Sequence, residues 1–319
     1  MTILLRNLAV AGEREDFAHA LVAGLSRTPK RIPCKFFYDS VGSELFERIC
    51  ELPEYYPTRT ECALLRERAG AIADLLGPDV ELVEFGAGSL TKVKTLLDAL
   101  HRVSAYVPID ISGEYLTGVA EQLAAEYPQL EIRPVEADFT RPLDLEPLRP
   151  GSKRRVGFFP GSTIGNFAPD DARRFLENAA RLLKGGGLLV GVDLVKDPAI
   201  LHAAYNDKTG VTAAFNKNLL ARANRELDAD FALDRFAHYA SYNAAARRIE
   251  MYLVSLVRQS VTVAGTKLLF AEGEPIHTED SHKYTVEGFR SLAAWAGFEP
   301  RAVWCDPARR FSLHWLETK

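Results

Sequence analysis

The sequence has no long apolar run. Stretches such as Gly187 to Val192 are much too short to cross a bilayer, and the opening MTILLRNLAVAGERED carries too short an apolar segment for a secretory signal. A soluble, cytoplasmic protein with no membrane partner is expected. An excess of charge of either sign is missing too: 39 Lys and Arg stand against 43 Asp and Glu, a net charge of -4. That balance gives no global basic field, and no nucleic-acid partner is expected. Only four cysteines occur, Cys34, Cys50, Cys62 and Cys305, without a CxxC pair or metal-ligand spacing. Reduced, mostly buried thiols and no metal site are the reading. Repeats and low-complexity stretches are absent as well. What remains is 319 residues at 47% hydrophobic and 26% charged content, ordinary for one large globular domain or two smaller ones.

The middle of the chain alternates short apolar strands with amphipathic helices. Glu81 to Phe85 predicts a strand stopping at Gly86-Ala87-Gly88, and Ser89 to Leu100 follows with apolar residues at helical spacing (Leu90, Val93, Leu96, Leu97, Leu100). Ala105 to Ile109 reads as a second strand ending in Asp110, Gly113 to Glu126 as a helix, and Leu130 to Val135 as a third strand leading to Asp138. Arg155 to Pro160 is a fourth strand, entering Gly161-Ser162-Thr163-Ile164-Gly165-Asn166-Phe167, and Leu188 to Leu194 a fifth after a helix from Pro169. A helix over Val286 to Ala296 and strands near Arg301 to Trp304 and Phe311 to Leu316 complete the pattern. The fold class is therefore α/β: a doubly wound, Rossmann-like sheet with a second, discontinuous α+β domain. Residues 62–194 plus 283–319 are assigned to the sheet domain. Residues 1–61 plus 195–282 form the other, with helices at Pro198 to Asp207 and Val211 to Leu227 and strands at Arg248 to Leu256 and Ser260 to Val263. A cleft is expected where the two meet.

A glycine turn between strand and helix is a weak signal alone, since packing can demand it. Its context is more informative. Asp110 ends the next strand, where a carboxylate can accept bonds from ribose hydroxyls, a placement that suits a dinucleotide or an adenosyl ligand equally. Thr91 stands where GxGxxG would have its third glycine, and Glu84 precedes Gly86 by two residues. A carboxylate there repels a pyrophosphate and attracts a sulfonium carrying an α-ammonium group. S-adenosylmethionine is thus the expected cofactor, held by Glu84, Gly86, Gly88, Asp110, Asp138 and Phe139, with Asp138 placed to meet the adenine amino group. Asn166 offers donors and acceptors suited to an amino acid's carboxylate and amine, or it caps the helix that follows or bonds within the turn.

Several longer motifs extend the reading: Lys35-Phe36-Phe37-Tyr38-Asp39, Gly42-Ser43-Glu44-Leu45-Phe46, Leu52-Pro53-Glu54-Tyr55-Tyr56-Pro57-Thr58-Arg59, Glu84-Phe85-Gly86-Ala87-Gly88-Ser89, Phe159-Pro160-Gly161-Ser162-Thr163-Ile164-Gly165-Asn166 and Thr278-Glu279-Asp280-Ser281. In this order, over nearly the whole chain, they resemble the S-adenosylmethionine-dependent histidine Nα-methyltransferases, which trimethylate histidine to hercynine in ergothioneine biosynthesis. The resemblance implies that Asn166 and Tyr205 hold the substrate carboxylate while Tyr38 orients the α-amine and helps remove its proton, through water or directly. It makes Tyr38 and Asn166 the catalytic residues. Tyr55, Glu279 and Ser281 would read the imidazole of L-histidine, with Phe46, Gly161, Thr212 and Met251 lining the pocket. A monomer is expected.

Each of these residues has a plainer reading. Met251 fills core space in many folds, Tyr38 and Tyr55 suit an aromatic core, and Glu279 by composition belongs on the surface. His282 is expected to be exposed, and His277 with His282 is not read as a metal pair. The alternatives to histidine methylation are a methyltransferase for another amino acid or small amine, a nicotinamide-dependent dehydrogenase, which Glu84 and Thr91 disfavour, and a silent cofactor-binding module.

Overall fold

The strand Val80–Phe85 is buried at all six positions, with Val80 and Leu82 in one apolar cluster and Val83 and Phe85 in another. That alternation follows from the two-residue period of a strand covered on both faces. The computed structural model describes residues 6–7, 13–88 and 90–319. The chain divides into two compact units, Met1–Ala9 with Pro57–Lys196 and Lys283–Lys319, and Val10–Tyr56 with Asp197–His282.

The first unit is built on a nine-stranded sheet. Its order runs Arg6–Asn7, Val135–Glu136, Val103–Asp110, Val80–Phe85, Arg154–Phe159, Gly187–Asp193, Phe311–Thr318, Phe298–Cys305, with Glu131–Ile132 also paired to Val103–Asp110. All pairings are parallel up to Gly187–Asp193, and the last two strands join antiparallel. Helices Tyr56–Leu76, Leu90–Ala99 and Gly113–Glu126 feed the cluster on one face, whereas Pro169–Leu182 and Val286–Trp295 feed that on the other. This is a doubly wound methyltransferase-type sheet, and its strand order reverses between Val80–Phe85 and Arg154–Phe159, where ligands bind in such folds.

One local expectation changes. The third strand is not continuous from Leu130 to Val135 but splits into Glu131–Ile132 and Val135–Glu136, because Pro134 has no N–H to donate to a ladder. A helix start at Ser89 lies outside the described residues; the helix is described from Leu90.

The second unit has a four-stranded sheet in the order Lys30–Arg31, Pro275–His282, Arg248–Ser255, Phe236–Asn243, and a separate hairpin Gln259–Val263 with Thr266–Phe270. Helices Glu13–Leu25, Ser40–Glu51, Pro198–Tyr205 and Val211–Glu226 complete it around one apolar core. Asp39 caps Ser40–Glu51 through its Oδ1, which accepts from the Gly42 N–H at 2.7 Å. The strands Phe236–Asn243 and Pro275–His282 escape a reading by hydrophobic run because polar side chains occupy much of both.

His282 is buried rather than exposed: it ends the strand Pro275–His282, which pairs along its length with Arg248–Ser255. The cysteines form no disulfide, but only Cys62 is buried while Cys34, Cys50 and Cys305 are half-buried, since the last three lie at the margins of packed elements. No helix among the described residues is long and apolar enough to cross a membrane.

Candidate active site

In the first unit, the turn after Val80–Phe85 is fixed by Gly86 and Ala87, whose N–H groups both reach the Ile109 carbonyl at 2.9 and 3.2 Å. Gly86 has φ +74°, which favours glycine. Packing does not explain Gly88, because a Cβ there would meet nothing within 4 Å. Glu84 is 1% exposed. Its Oε2 accepts from the Tyr106 hydroxyl, and its Oε1 has no partner. A buried carboxylate oxygen left open in this way marks a place for a ligand donor.

Burial pushes the Glu84 carboxyl up to about 8, against the Tyr106 hydroxyl and the Lys92 ammonium, which both pull it down. Burial likewise raises Asp110 to about 6, although the N–H groups of Ser112 and Ile111 hold it lower than burial alone would. Asp138 accepts from the Thr140 N–H at 3.0 Å and from its hydroxyl at 2.5 Å. Phe139 packs edge-on against Phe85, Phe159 and Phe175, and lies 3.5 Å from where a Cβ on Gly86 would stand.

Gly161 and Asn166 belong to this unit, in the loop after Arg154–Phe159. The Gly161 N–H donates to both oxygens of Glu61 at 3.0 and 2.9 Å, and Glu61 pairs with the Lys92 ammonium at 2.7 Å. Asn166 does not cap the following helix. The cap position is Ala168, with Pro169 opening the helix, so the amide is not spent on the helix terminus.

In the second unit, chain-distant residues form one aromatic and polar file. The Tyr38 ring meets Phe46 at 5.7 Å, Phe46 meets Tyr55 at 6.3 Å, and Tyr55 meets Tyr205 at 6.4 Å. At its end the Tyr205 hydroxyl donates to Ser281 Oγ at 2.8 Å. Glu279 is 7% exposed and close enough to raise the pKa of both Tyr38 and Tyr55, which burial already holds well above the ordinary tyrosine value.

A β-bulge makes this placement. Met251 stands opposite Glu279 but Tyr252 opposite His277, leaving Thr278 as the surplus residue. Thr278 and Glu279 are therefore buried in succession, and Ser281 follows on the same inner face. Plain alternation from Ile276 would have turned Glu279 outward with His277. On the outer side, Asp280 takes His277 at 3.0 Å and Arg248 at 3.1 Å instead.

Supporting residues hold the file in place. His238 Nδ1 accepts from Asn216 at 2.9 Å, so its Nε2 carries the proton donated to the Tyr205 carbonyl at 2.9 Å. Asp39 Oδ1, next to Tyr38, also accepts from Asn218 at 2.7 Å. Met251 is fully buried, and Thr212 lies in the first turn of Val211–Glu226, one turn before Phe215, whose ring packs on Tyr38 and Phe46.

The comparisons with known proteins agree with one another. Residues 17–318 match the family described as histidine-specific methyltransferase, SAM-dependent. The chain belongs to this family. It is 44% identical to the histidine N-alpha-methyltransferase of Mycolicibacterium smegmatis over 98% of each chain, and 46% identical to that of Mycobacterium tuberculosis over 94% of this chain and 95% of the other. It is also 30% identical to ergothioneine biosynthesis protein 1 of Neurospora crassa, covering 90% of this chain and 33% of that protein.

Family membership makes S-adenosylmethionine the cofactor, and the residues present fit it. The open Oε1 of Glu84 suits an ammonium donor, Asp110 a ribose, and the unfilled space at Gly88 a close approach of ligand to backbone. Sequence reasoning missed Glu61, Lys92 and Tyr106. A signal existed for Glu61: with Leu64, Leu65 and Ile72 it lies on the apolar stripe of Tyr56–Leu76, where a carboxylate is out of place. Tyr106 is the one hydroxyl in the apolar part of its strand, opposite Leu82 and beside Glu84.

Proposed function

We propose that this chain transfers methyl groups from S-adenosylmethionine to the α-amine of L-histidine, three times over, giving hercynine, the first step of ergothioneine biosynthesis. The observation that carries this reading is the 44% identity, across 98% of both chains, to the histidine N-alpha-methyltransferase of Mycolicibacterium smegmatis. Glu279 and Ser281, with Tyr55, are assigned to the imidazole, whose one N–H donor and one acceptor a carboxylate and a hydroxyl satisfy together. Asn166 and Tyr205 are assigned to the carboxylate, Tyr38 to the amine, and Phe46, Met251, Thr212 and Gly161 to the walls. Glu84, Gly86, Gly88, Asp110, Asp138 and Phe139 are assigned to the cofactor.

S-adenosylmethionine, when bound, supplies the electrophilic methyl group. The protein's task is to hold a neutral amine in line with it. Because burial and Glu279 keep the Tyr38 hydroxyl protonated, it serves as a hydrogen-bond partner that orients the amine lone pair, and the proton leaves through water. Each full conversion of the ammonium consumes three methyl donors and releases three protons. The growing cation gains from the faces of the Tyr38, Phe46 and Tyr55 rings, which the small ammonium would use less. The monomer is proposed as the working form and the cytoplasm as its compartment.

Purified protein incubated with histidine and saturating S-adenosylmethionine is expected to give hercynine by mass spectrometry, with three equivalents of S-adenosylhomocysteine per histidine. No hercynine under these conditions would sink the proposal. Competition by the other free amino acids then tests whether the side-chain contacts select histidine.

A further inference from the structure

Left-handed backbone is strained for a residue with a Cβ, yet Ser162 adopts it, at φ 57° and ψ 27°, directly after Gly161 at φ +78°. Glycine would make this turn without strain. What serine adds is a hydroxyl: Ser162 is buried, and its Oγ accepts from the Asp193 N–H at 2.8 Å. The strand ladder explains the need. Pairing between Arg154–Phe159 and Gly187–Asp193 stops at Phe159 opposite Val190, before Asp193 is reached, and Ser162 Oγ supplies the acceptor that the ladder does not. The anchor itself is firm. The Asp193 carbonyl accepts from the Tyr284 N–H at 3.0 Å, and its carboxylate meets Lys196 at 2.6 Å and Lys283 at 2.8 Å.

From Ser162 the constraint passes along the backbone to Asn166. The Ser162 carbonyl accepts from the Gly165 N–H at 2.8 Å, which closes the 3-10 turn Thr163–Asn166, and Thr163 Oγ1 donates to the Pro160 carbonyl at 3.0 Å. Across the base of the loop the Phe167 ring stacks on Phe159 at 6.2 Å. We propose that Ser162 is a positioning residue for Asn166: its hydroxyl, anchored on the Asp193 N–H, fixes the turn that holds the Asn166 amide where the substrate carboxylate is assigned to meet it. Placement and stability can be told apart at this position. Alanine and glycine both take the acceptor away from the Asp193 N–H, but alanine keeps the left-handed strain and glycine relieves it. Glycine also leaves the turn more conformational freedom. It should therefore give the more stable fold and the less well placed amide.

The inference rests on the assignment of Asn166 to the histidine carboxylate, and the test separates the two. Histidine is titrated calorimetrically into protein saturated with S-adenosylhomocysteine, for the wild type, Asn166→Ala, Ser162→Ala, Ser162→Gly and the double variant Ser162→Gly with Asn166→Ala. Melting temperatures are read in parallel. Asn166→Ala is expected to bind about 30-fold more weakly, the size of a lost hydrogen bond to a charged group. Wild-type affinity in that variant would refute the assignment itself. Ser162→Gly is expected to lose about 10-fold and Ser162→Ala about 5-fold, whereas the melting temperatures run the other way, with glycine above alanine. A residue that only supported the fold would lose affinity in step with stability. Weaker binding by Ser162→Ala than by Ser162→Gly therefore overturns the proposal, as does wild-type affinity in Ser162→Gly. The double variant is expected to bind like Asn166→Ala alone, because a displaced turn has no amide left to misplace; additive losses overturn the proposal. If Ser162→Ala does not fold, Ser162→Gly and the double variant decide.

Discussion

Around the residues assigned to ligands, the two units differ in how they handle polar burial. In the first, buried carboxylates meet cations and backbone N–H groups: Glu61 holds Lys92 and Gly161, and Asp193 holds Lys196 at 2.6 Å and Lys283 at 2.8 Å. In the second, hydroxyls meet hydroxyls and rings, as in Tyr205 with Ser281 and the file from Tyr38 to Tyr205. The difference suits the ligands assigned to each. A cofactor with a ribose and an amino-acid tail asks for fixed charges on rigid turns, whereas an amine that becomes a bulky cation asks for aromatic faces and neutral hydroxyls whose contacts survive the change.

The sharpest test of that contrast is Glu279→Ala, which removes the charged group from the second unit's file. Histidine affinity should fall about 100-fold, since truncating a buried hydrogen-bonded charge costs roughly 2–5 kcal/mol. S-adenosylhomocysteine affinity, measured in parallel by calorimetry, should stay near wild type; equal losses would make Glu279 structural and erase the contrast.

Asp110→Asn probes the first unit with a smaller expected loss, about 10-fold in cofactor affinity, the size of a charge-assisted hydrogen bond. It should also raise the melting temperature near pH 7. The folded carboxyl titrates at about 6, above the unfolded value of about 3.9. The folded state therefore binds the proton more tightly, and its relative stability is fully present below the unfolded value and lost as pH rises through 6. Asparagine removes that loss. A melting temperature unchanged or lowered at pH 7 would show that Asp110 is not under this strain.

The same titration predicts that wild-type cofactor affinity weakens as pH falls through 6, approaching the Asp110→Asn level, while the variant shows less dependence in that range. A variant that weakens as steeply as wild type would place the proton elsewhere. The smallest effect is expected from Tyr205→Phe, which deletes the bond to Ser281 and keeps the ring on Tyr55. About 5-fold in histidine KM, near 1 kcal/mol, is the magnitude of one neutral hydrogen bond. A loss as large as that of Glu279→Ala would mean the second unit depends on its hydroxyls more than on its carboxylate.

Legibility in the sequence differed between the units for the same reason that their chemistry differs. The strand Val80–Phe85, its glycine turn and the carboxylates Glu84 and Asp110 sit within some thirty residues, so local period and turn chemistry suffice to bring them together. The file of the second unit draws on residues 38, 46, 55, 205, 279 and 281, which no periodicity relates. Those residues were named through the resemblance to a family, not through their local pattern. Residues that act by holding others fared worst. Glu61, Tyr106 and His238 have no motif of their own, and His282 reads as exposed although it is buried, because a polar strand reads like a loop.

The sequence by itself determined the wound sheet, the glycine turn and the family, because hydrophobic period, glycine and short motifs act over neighbouring residues. Tertiary structure alone decided which side Glu279 faces and where the Lys92 charge is spent. One depends on a single surplus residue, Thr278, in a strand pairing, and the other on a carboxylate 31 residues away whose placement a Cβ at position 191 would displace. Both are long-range packing outcomes, and their energies come from partners that the chain's own order does not bring near.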